Sequence, residues 1–563
     1  MKNINEAVIF WWHYGKKYSL FIVLLATAAV FRYTQIENLP GGLFPDEAAN
    51  GLDINSILNG DRQPFYERGN GREALFFYMI APAVMLFGRT PLAHHLVSAT
   101  VSLLVVLFTF LLVRRWFGSL AGFVAAFLAA VSSWYVTMSR TAFRANLTPL
   151  FALLFFYFAT RVAQAKSRAD YYLSAILAGS SFALGFYTYI SYRMMVPVLF
   201  ITFVGLIIID FRRTQKWQIV KKYWRGFLAG VASSILTILP LALYFIKHPE
   251  FIVGRSGQVS IFSDSLNNGD VIGTFLEVVG KTIMAFFTEG ALNWRHNVSG
   301  FPFLSFLISP FFLLGLILVL TQAALFVIYG LKKAKNESDT AINLKRLPFF
   351  VIALWFLFMT APEILTAEGI PHGLRLIGII PAVFIIPALF INEIVSRPPH
   401  ERNYSRFGGK FMVNTALGIL LVAEMFYGMY AYFGIAANSP DYDYAFRADL
   451  TTVSKYLNER NNKEQTYLVI DLFSEQTPRY MTTETNQPYQ IVDPSSLWRG
   501  PAEVKIEDRP DFGLSLKPGD QVIFSQSTIH DTQAFERYYP AARLVKKEYN
   551  RFNEVIMKVY EQP

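Results

Sequence analysis

Apolar stretches of roughly 15–28 residues recur from Ser19 to Ile435, separated by polar segments, and that repetition leaves few ways to fold. A helix needs about 20 such residues to cross a bilayer, and in lipid every backbone N–H and C=O must be bonded within its own segment. The chain is therefore read as a polytopic α-helical membrane protein. With 53% hydrophobic and 16% charged residues over 563 positions, its composition lies far from that of a soluble protein. Cysteine is absent, which excludes disulfides, a thiolate nucleophile and Cys-ligated zinc. The net charge of +10 sits largely in short loops between apolar spans. Topogenesis and anionic lipid account for basic residues placed there, so membrane lipid is an expected partner and nucleic acid is not.

The first span follows Lys16 and Lys17 and has no signal-peptidase-like cleavage site, which implies a retained helix and a cytoplasmic N-terminus. Trp11-Trp12-His13-Tyr14-Gly15 reads as an aromatic anchor before that span. The loop that follows, about 32–73, is then extracytoplasmic. It carries seven carboxylates, among them Asp46, Glu47 and Glu73, with Arg62, Arg68 and Arg72. The apolar run at 74–88 is too short to span and is read as an interfacial helix. That choice puts Arg114-Arg115 and every later basic loop inside. About 11 spans result, near 19–33, 92–113, 119–138, 146–163, 171–189, 195–211, 227–246, 303–330, 348–365, 374–393 and 411–435. An odd count places residues 437–563 outside, as a domain distinct from the membrane region 1–436. In that segment the apolar runs Tyr467–Asp471, Gln521–Ser525 and Val555–Val559 alternate with helix-like stretches, the pattern of a small α/β domain.

The chemistry-bearing groups collect on the outer side under this topology. Asp46-Glu47 stands in F-P-D-E-A, which also reads as a helix start. Arg140 and Arg144 in S-R-T-A-F-R-A-N share a face if that stretch is one helix, and two guanidinium groups suit a phosphate. Pro371-His372-Gly373-Leu374-Arg375 opens a span, with Arg375 next to apolar residues and Glu363 and Glu368 in the loop before it. Trp294, Arg295, His296 and Asn297 combine an aromatic ring, cations and an amide, a mixture that suits a sugar and equally an interfacial belt. His94-His95 is read as an interfacial pair because it has no further His at ligand spacing, and Asp441-Tyr442-Asp443 as a turn.

These residues resemble the polyprenyl-phosphate-sugar-dependent glycosyltransferases of the C superfamily (GT-C), which include the protein O-mannosyltransferases and the lipid A aminoarabinose transferases. The resemblance covers about 1–435. Its anchor is the acidic pair Asp46-Glu47 in the first outer loop, followed by G-R-E-A-L-F-F-Y and by Leu86-Phe87-Gly88. Arg72 takes the family's basic position, with Glu73-Ala74 where a proline is usual. The resemblance implies sugar transfer from a polyprenyl-phosphate-linked donor to a protein, lipid or glycan acceptor at the outer face of a bacterial inner membrane.

It implies inversion at the anomeric carbon, with Asp46 as general base and Glu47 beside it. Arg72, Arg140, Arg144, His372 and Arg375 are the candidates for the donor phosphate, and Trp294, Arg295, His296, Asn297 and Glu368 for the sugar. A divalent metal is compatible with the pattern and not required by it. The competing readings are a transporter or flippase of lipid-linked saccharides, which grips the same phosphate without bond chemistry, and a non-catalytic membrane scaffold.

Overall fold

The computed structural model describes residues 19–69, 71–214, 217–252, 259–332, 337–396, 408–460, 464–484, 489–494 and 512–563. The Trp11–Gly15 anchor and Lys16-Lys17 lie outside the described residues. The chain divides into two compact units. One, the helical unit, comprises Met1–Thr34, Gln63–Phe76 and Leu96–Ala436. The other, the sheet unit, comprises Gln35–Arg62, Phe77–His95 and Ala437–Pro563.

Among the described residues, eight helices are long and apolar enough to cross a membrane. A ninth crossing is obtained if Ser119–Val131 and Ser133–Arg140, bent by 62° at Ser132, count as one. The two other segments read as spans from the sequence are the shorter apolar helix Ser19–Tyr33 and the helix Arg168–Gly185. The protein is thus a multi-pass helical membrane protein with a small sheet domain. The helix Leu75–Phe87 has 13 residues. At 1.5 Å per residue it rises about 20 Å, well short of the roughly 30 Å hydrocarbon core. Its end leaves Met85 and Leu86 exposed.

Within the helical unit, Leu147–Gln164 packs on Arg168–Gly185, which in turn packs on Gln218–Lys247. Close approach depends on small residues, since a Cβ at Gly179 would sit 2.0 Å from the carbonyl oxygen of Gly230. The outward face of Gln218–Lys247 is apolar, with Leu236 72% and Ile246 75% exposed, as lipid-facing positions require.

The sheet unit is built on β3 (Thr466–Val469), β4 (Tyr489–Val492), β5 (Gln521–Ser525), β6 (Arg543–Tyr549) and β7 (Val555–Glu561), in the spatial order β4-β3-β5-β7-β6. β3 runs parallel to β4 and β5, and β7 runs antiparallel to β5 and β6. Side chains alternate across each strand. Leu468, Ile470 and Ile523 therefore meet Leu450, Val453 and Leu457 of the helix Ala448–Glu459 on one face. On the other face Val469, Val522 and Phe524 meet Phe535 and Tyr560. Three strands fall on the three apolar runs read from the sequence. Asp441 and Asp443 lie on the helix Pro440–Ala445, not on a bare turn.

Candidate functional site

The acidic pair opens a helix in the sheet unit. Pro45 supplies the fixed φ of a first helical position and Asp46 and Glu47 supply first-turn negative charge, so F-P-D-E starts the helix Pro45–Leu58. Successive helical residues point about 100° apart. Asp46 accordingly stays part-exposed while Glu47 turns inward and is 1% exposed. Glu47 Oε2 accepts a hydrogen bond from the Phe44 N–H at 3.0 Å, and its Oε1 lies 3.3 Å from His95 Nε2. His95 and its neighbour His94 are both fully buried. His94 Nε2 is 2.9 Å from the Tyr480 hydroxyl, a contact spanning 386 residues of sequence.

The same helix is clamped by the C-terminal segment. Tyr480 and Met481 pack on Leu43 and Ala48. Gly51 leaves room for the Tyr480 ring, since a Cβ there would come within 2.6 Å of it. The Thr477 hydroxyl donates to the Leu43 carbonyl at 2.9 Å, and the Leu43 N–H to Thr451 Oγ1 at 3.2 Å. Burial raises the Tyr480 phenol above its ordinary value, so it remains a hydroxyl. The reading of His94-His95 as interfacial is corrected: they lie in the core, and their partners come from residues remote in sequence.

The cations read as phosphate candidates lie in the helical unit and fall into two kinds. Arg140 is fully buried. It donates to the carbonyls of Phe31 and Arg32 at 3.1 and 2.8 Å and of Thr34 at 2.7 Å, beneath the rings of Tyr432 and Phe433. Arg144 is 21% exposed, donates to Glu73 Oε2 at 2.9 Å and packs over the Tyr189 ring. One helical face does not hold both. The helix Ser133–Arg140 ends where Thr141 turns extended, and a separate 3-10 turn begins at Arg144. Arg72 lies on β2 (Arg72–Glu73), whose partner strand is β1 (Phe65–Tyr66), with Tyr66 opposite Arg72.

A second cluster in the helical unit gathers around residues 371–373. The His372 backbone N–H donates to Glu363 Oε1 at 2.8 Å, and Glu363 is fully buried at the end of the helix Leu347–Ile364. The His372 and His296 rings lie 4.2 Å apart. Burial holds the His296 imidazole well below its ordinary 6.5, and His372, Arg295 and Arg375 push it the same way. Arg375 donates to the Glu368 carbonyl and sits 3.4 Å from Glu368 Oε2. Trp294 and Arg295 are part-exposed. Asn297 is buried and its amide donates to the Phe301 carbonyl at 2.6 Å, which closes the loop. Among the described residues no group of three or more His, Asp or Glu stands ready to hold a metal ion.

Glu363 enters this account as an anchor for His372 and His95 as a partner of Glu47. Glu363 falls within the span read at 348–365, and a carboxylate inside a span was the signal for it.

Residues 74–244 match the sequence model described as dolichyl-phosphate-mannose-protein mannosyltransferase. No curated protein matches the chain. Among solved structures, the archaeal oligosaccharyltransferase AglB of Archaeoglobus fulgidus, in complex with an inhibitory peptide and a dolichol-phosphate, aligns at 13% identity and a TM-score of 0.49, over 98% of this chain and 75% of that one. ArnT of Cupriavidus metallidurans bound to undecaprenyl phosphate aligns at 13% identity and a TM-score of 0.46, over 96% and 98%. Over residues 74–244 the chain carries the pattern of the mannosyltransferase family, which bears out the resemblance to the C-superfamily glycosyltransferases read from its residues.

Proposed function

We propose that the protein transfers a sugar from a polyprenyl-phosphate-linked donor to an acceptor at the outer face of the membrane, with inversion and with Asp46 as general base. The observation that carries this reading is the division of labour in the acidic pair: Asp46 remains accessible on the first turn while Glu47 is buried and held from two sides. An accessible carboxylate on a rigid helix start is what proton removal from an acceptor hydroxyl requires. As the acceptor oxygen bonds to the anomeric carbon, its proton passes to Asp46. The bond from that carbon to phosphate breaks, and the lipid phosphate leaves with the electron pair.

Charge developing on the departing phosphate needs fixed cations. Arg72, Arg144 and Arg375, with His372, are assigned to it, and Trp294, Arg295, His296 and Glu368 to the sugar. Arg140 leaves the set because its guanidinium is committed to three backbone carbonyls, and Asn297 because its amide closes its own loop. No step is routed through a metal. The acceptor class is protein, lipid or glycan, and the setting is an inner membrane with the N-terminus cytoplasmic.

The test follows polyprenyl phosphate released by purified protein from a panel of polyprenyl-phosphate sugars. Asp46→Asn is expected to lower release by about 10²–10⁴-fold while donor binding is retained. Unchanged release would remove Asp46 as base. Saturable binding without release from any donor, even after addition of membrane extract, would favour the transporter.

A further inference from the structure

The sheet unit contains a cleft of about 1160 Å³ that the reaction above does not use. It is lined by residues from 35–41, by the turn after Leu75–Phe87, and by the C-terminal segment. Small-molecule sites run to roughly 300–1,000 Å³, so this one has the volume for a ligand of several sugar units. Its charges decide what kind of chain.

Three carboxylates, Glu37, Asp443 and Glu484, stand against three cations, Arg89, Lys455 and Arg551. Four of the six are already paired within the wall. Arg89 is bonded to Glu484 and also donates to Asn55 Oδ1 at 2.9 Å, and Arg551 lies 3.4 Å from Asp443. Carboxylates and cations are equal in number along the lining, so an anionic ligand would meet no net field. The rest of the lining is amphipathic. Gln35 and Asn38 present exposed amides, Tyr549 presents a ring 49% exposed, and Met481 and Ile556 add buried apolar surface. Amides for hydroxyls and an aromatic ring for C–H faces are the complement of a neutral sugar chain.

The geometry points to this cleft as a binding site for an uncharged oligosaccharide, the acceptor glycan, an assignment that rests on the transferase reading for the word acceptor. The full-length protein in nanodiscs is titrated calorimetrically with neutral hexasaccharides of glucose, mannose and N-acetylglucosamine, and with hexagalacturonate as the anionic control. At least one neutral hexasaccharide is expected to bind with an affinity unchanged by added salt, and Tyr549→Ala to weaken it about tenfold. Gln35→Ala, at an exposed position, provides a second variant with an expected loss in the same direction.

Binding by none of the neutral probes, salt-sensitive binding of hexagalacturonate alone, or full displacement by unglycosylated peptide would overturn the assignment. Asp46→Asn keeps saccharide binding while losing release of polyprenyl phosphate. Saccharide binding by a wild-type protein that releases nothing would sink the transferase reading and leave the cleft standing.

Discussion

Glu47 in the sheet unit and Arg375 in the helical unit are both charged residues at the start of a helical turn, yet their surroundings differ in kind. Glu47 is 1% exposed, bonded to the Phe44 N–H and set against a buried histidine whose neighbour is tied to Tyr480. Arg375 is 13% exposed and leans on Glu368, itself 46% exposed. A fully desolvated, hydrogen-bonded group cannot move without leaving a buried polar atom unmet, at a cost of about 1–3 kcal/mol. The Glu368 carboxylate, open to solvent, exchanges partners at little cost, because solvent-screened pairs contribute about 0–1 kcal/mol. The acidic region is thus rigid and the basic region adjustable. On the reading proposed above, that division suits a base held still and cations that follow a phosphate as charge develops on it.

The comparison breaks first at Arg375. If it engages the donor phosphate, Arg375→Ala should reduce transfer by roughly tenfold to a hundredfold, the worth of a hydrogen bond to a charged group. The loss should fall on kcat rather than on the donor KM, since the charge being met is greatest in the transition state. The effect on melting temperature should be small beside the loss of turnover. A large fall in melting temperature with kcat intact would make Arg375 a structural residue.

Arg140 should behave in the opposite way. Arg140→Met keeps the volume and removes three donors from the carbonyls of Phe31, Arg32 and Thr34. Stability should drop by about 1.5–3 kcal/mol on the value of even one charge-assisted hydrogen bond. Turnover per folded molecule should stay unchanged. A selective loss of turnover would return Arg140 to the donor site.

The histidine cluster adds a pH dependence to the basic region. Burial keeps His296 below its ordinary 6.5 in the folded state, whereas the unfolded chain takes up that proton near the ordinary value. Below pH 6.5 the unfolded state therefore binds more protons. The stability from His296 is complete above that pH and is lost as the pH falls, approaching about 1.4 kcal/mol per pH unit. Thermal melts between pH 7.5 and about 5 should show this slope, and His296→Asn should flatten it. A slope unchanged in the variant would place the titration elsewhere.

What the residues disclosed in advance follows from where each contact originates. F-P-D-E announced a helix start because capping and dipole chemistry are local. The central strands β3, β5 and β7 were legible because both their faces are covered and their apolar runs are continuous. The edge strands β4 and β6 were not, and β6 shows why: Arg543–Tyr549 carries Lys546 and Lys547, the polar dress that edges wear against further pairing. Arg140 and Arg144 looked like one helical face because spacing says nothing of Thr141 turning extended. His94 and His95 looked interfacial because nothing within a helical turn of them reveals Tyr480 or Glu47.

The smallest expected effect tests that long-range tie. Tyr480→Phe removes one hydroxyl and leaves the ring packed on Leu43 and Ala48. His94 Nε2 then loses its partner at 2.9 Å inside a buried site. One neutral hydrogen bond is worth about 0.5–1.5 kcal/mol, so the melting temperature should fall slightly. If the C-terminal segment holds the base helix in register, transfer should also fall about threefold, because small misplacements of a general base are felt in kcat. Donor KM should not move. Tyr480→Ala, which also empties the ring's place beside Gly51, should lower kcat further in the same direction. A Tyr480→Phe protein that melts lower but turns over at the wild-type rate would confine the C-terminal segment to stabilising the unit, and the rigidity ascribed to the acidic region would then rest on Glu47 and His95 alone.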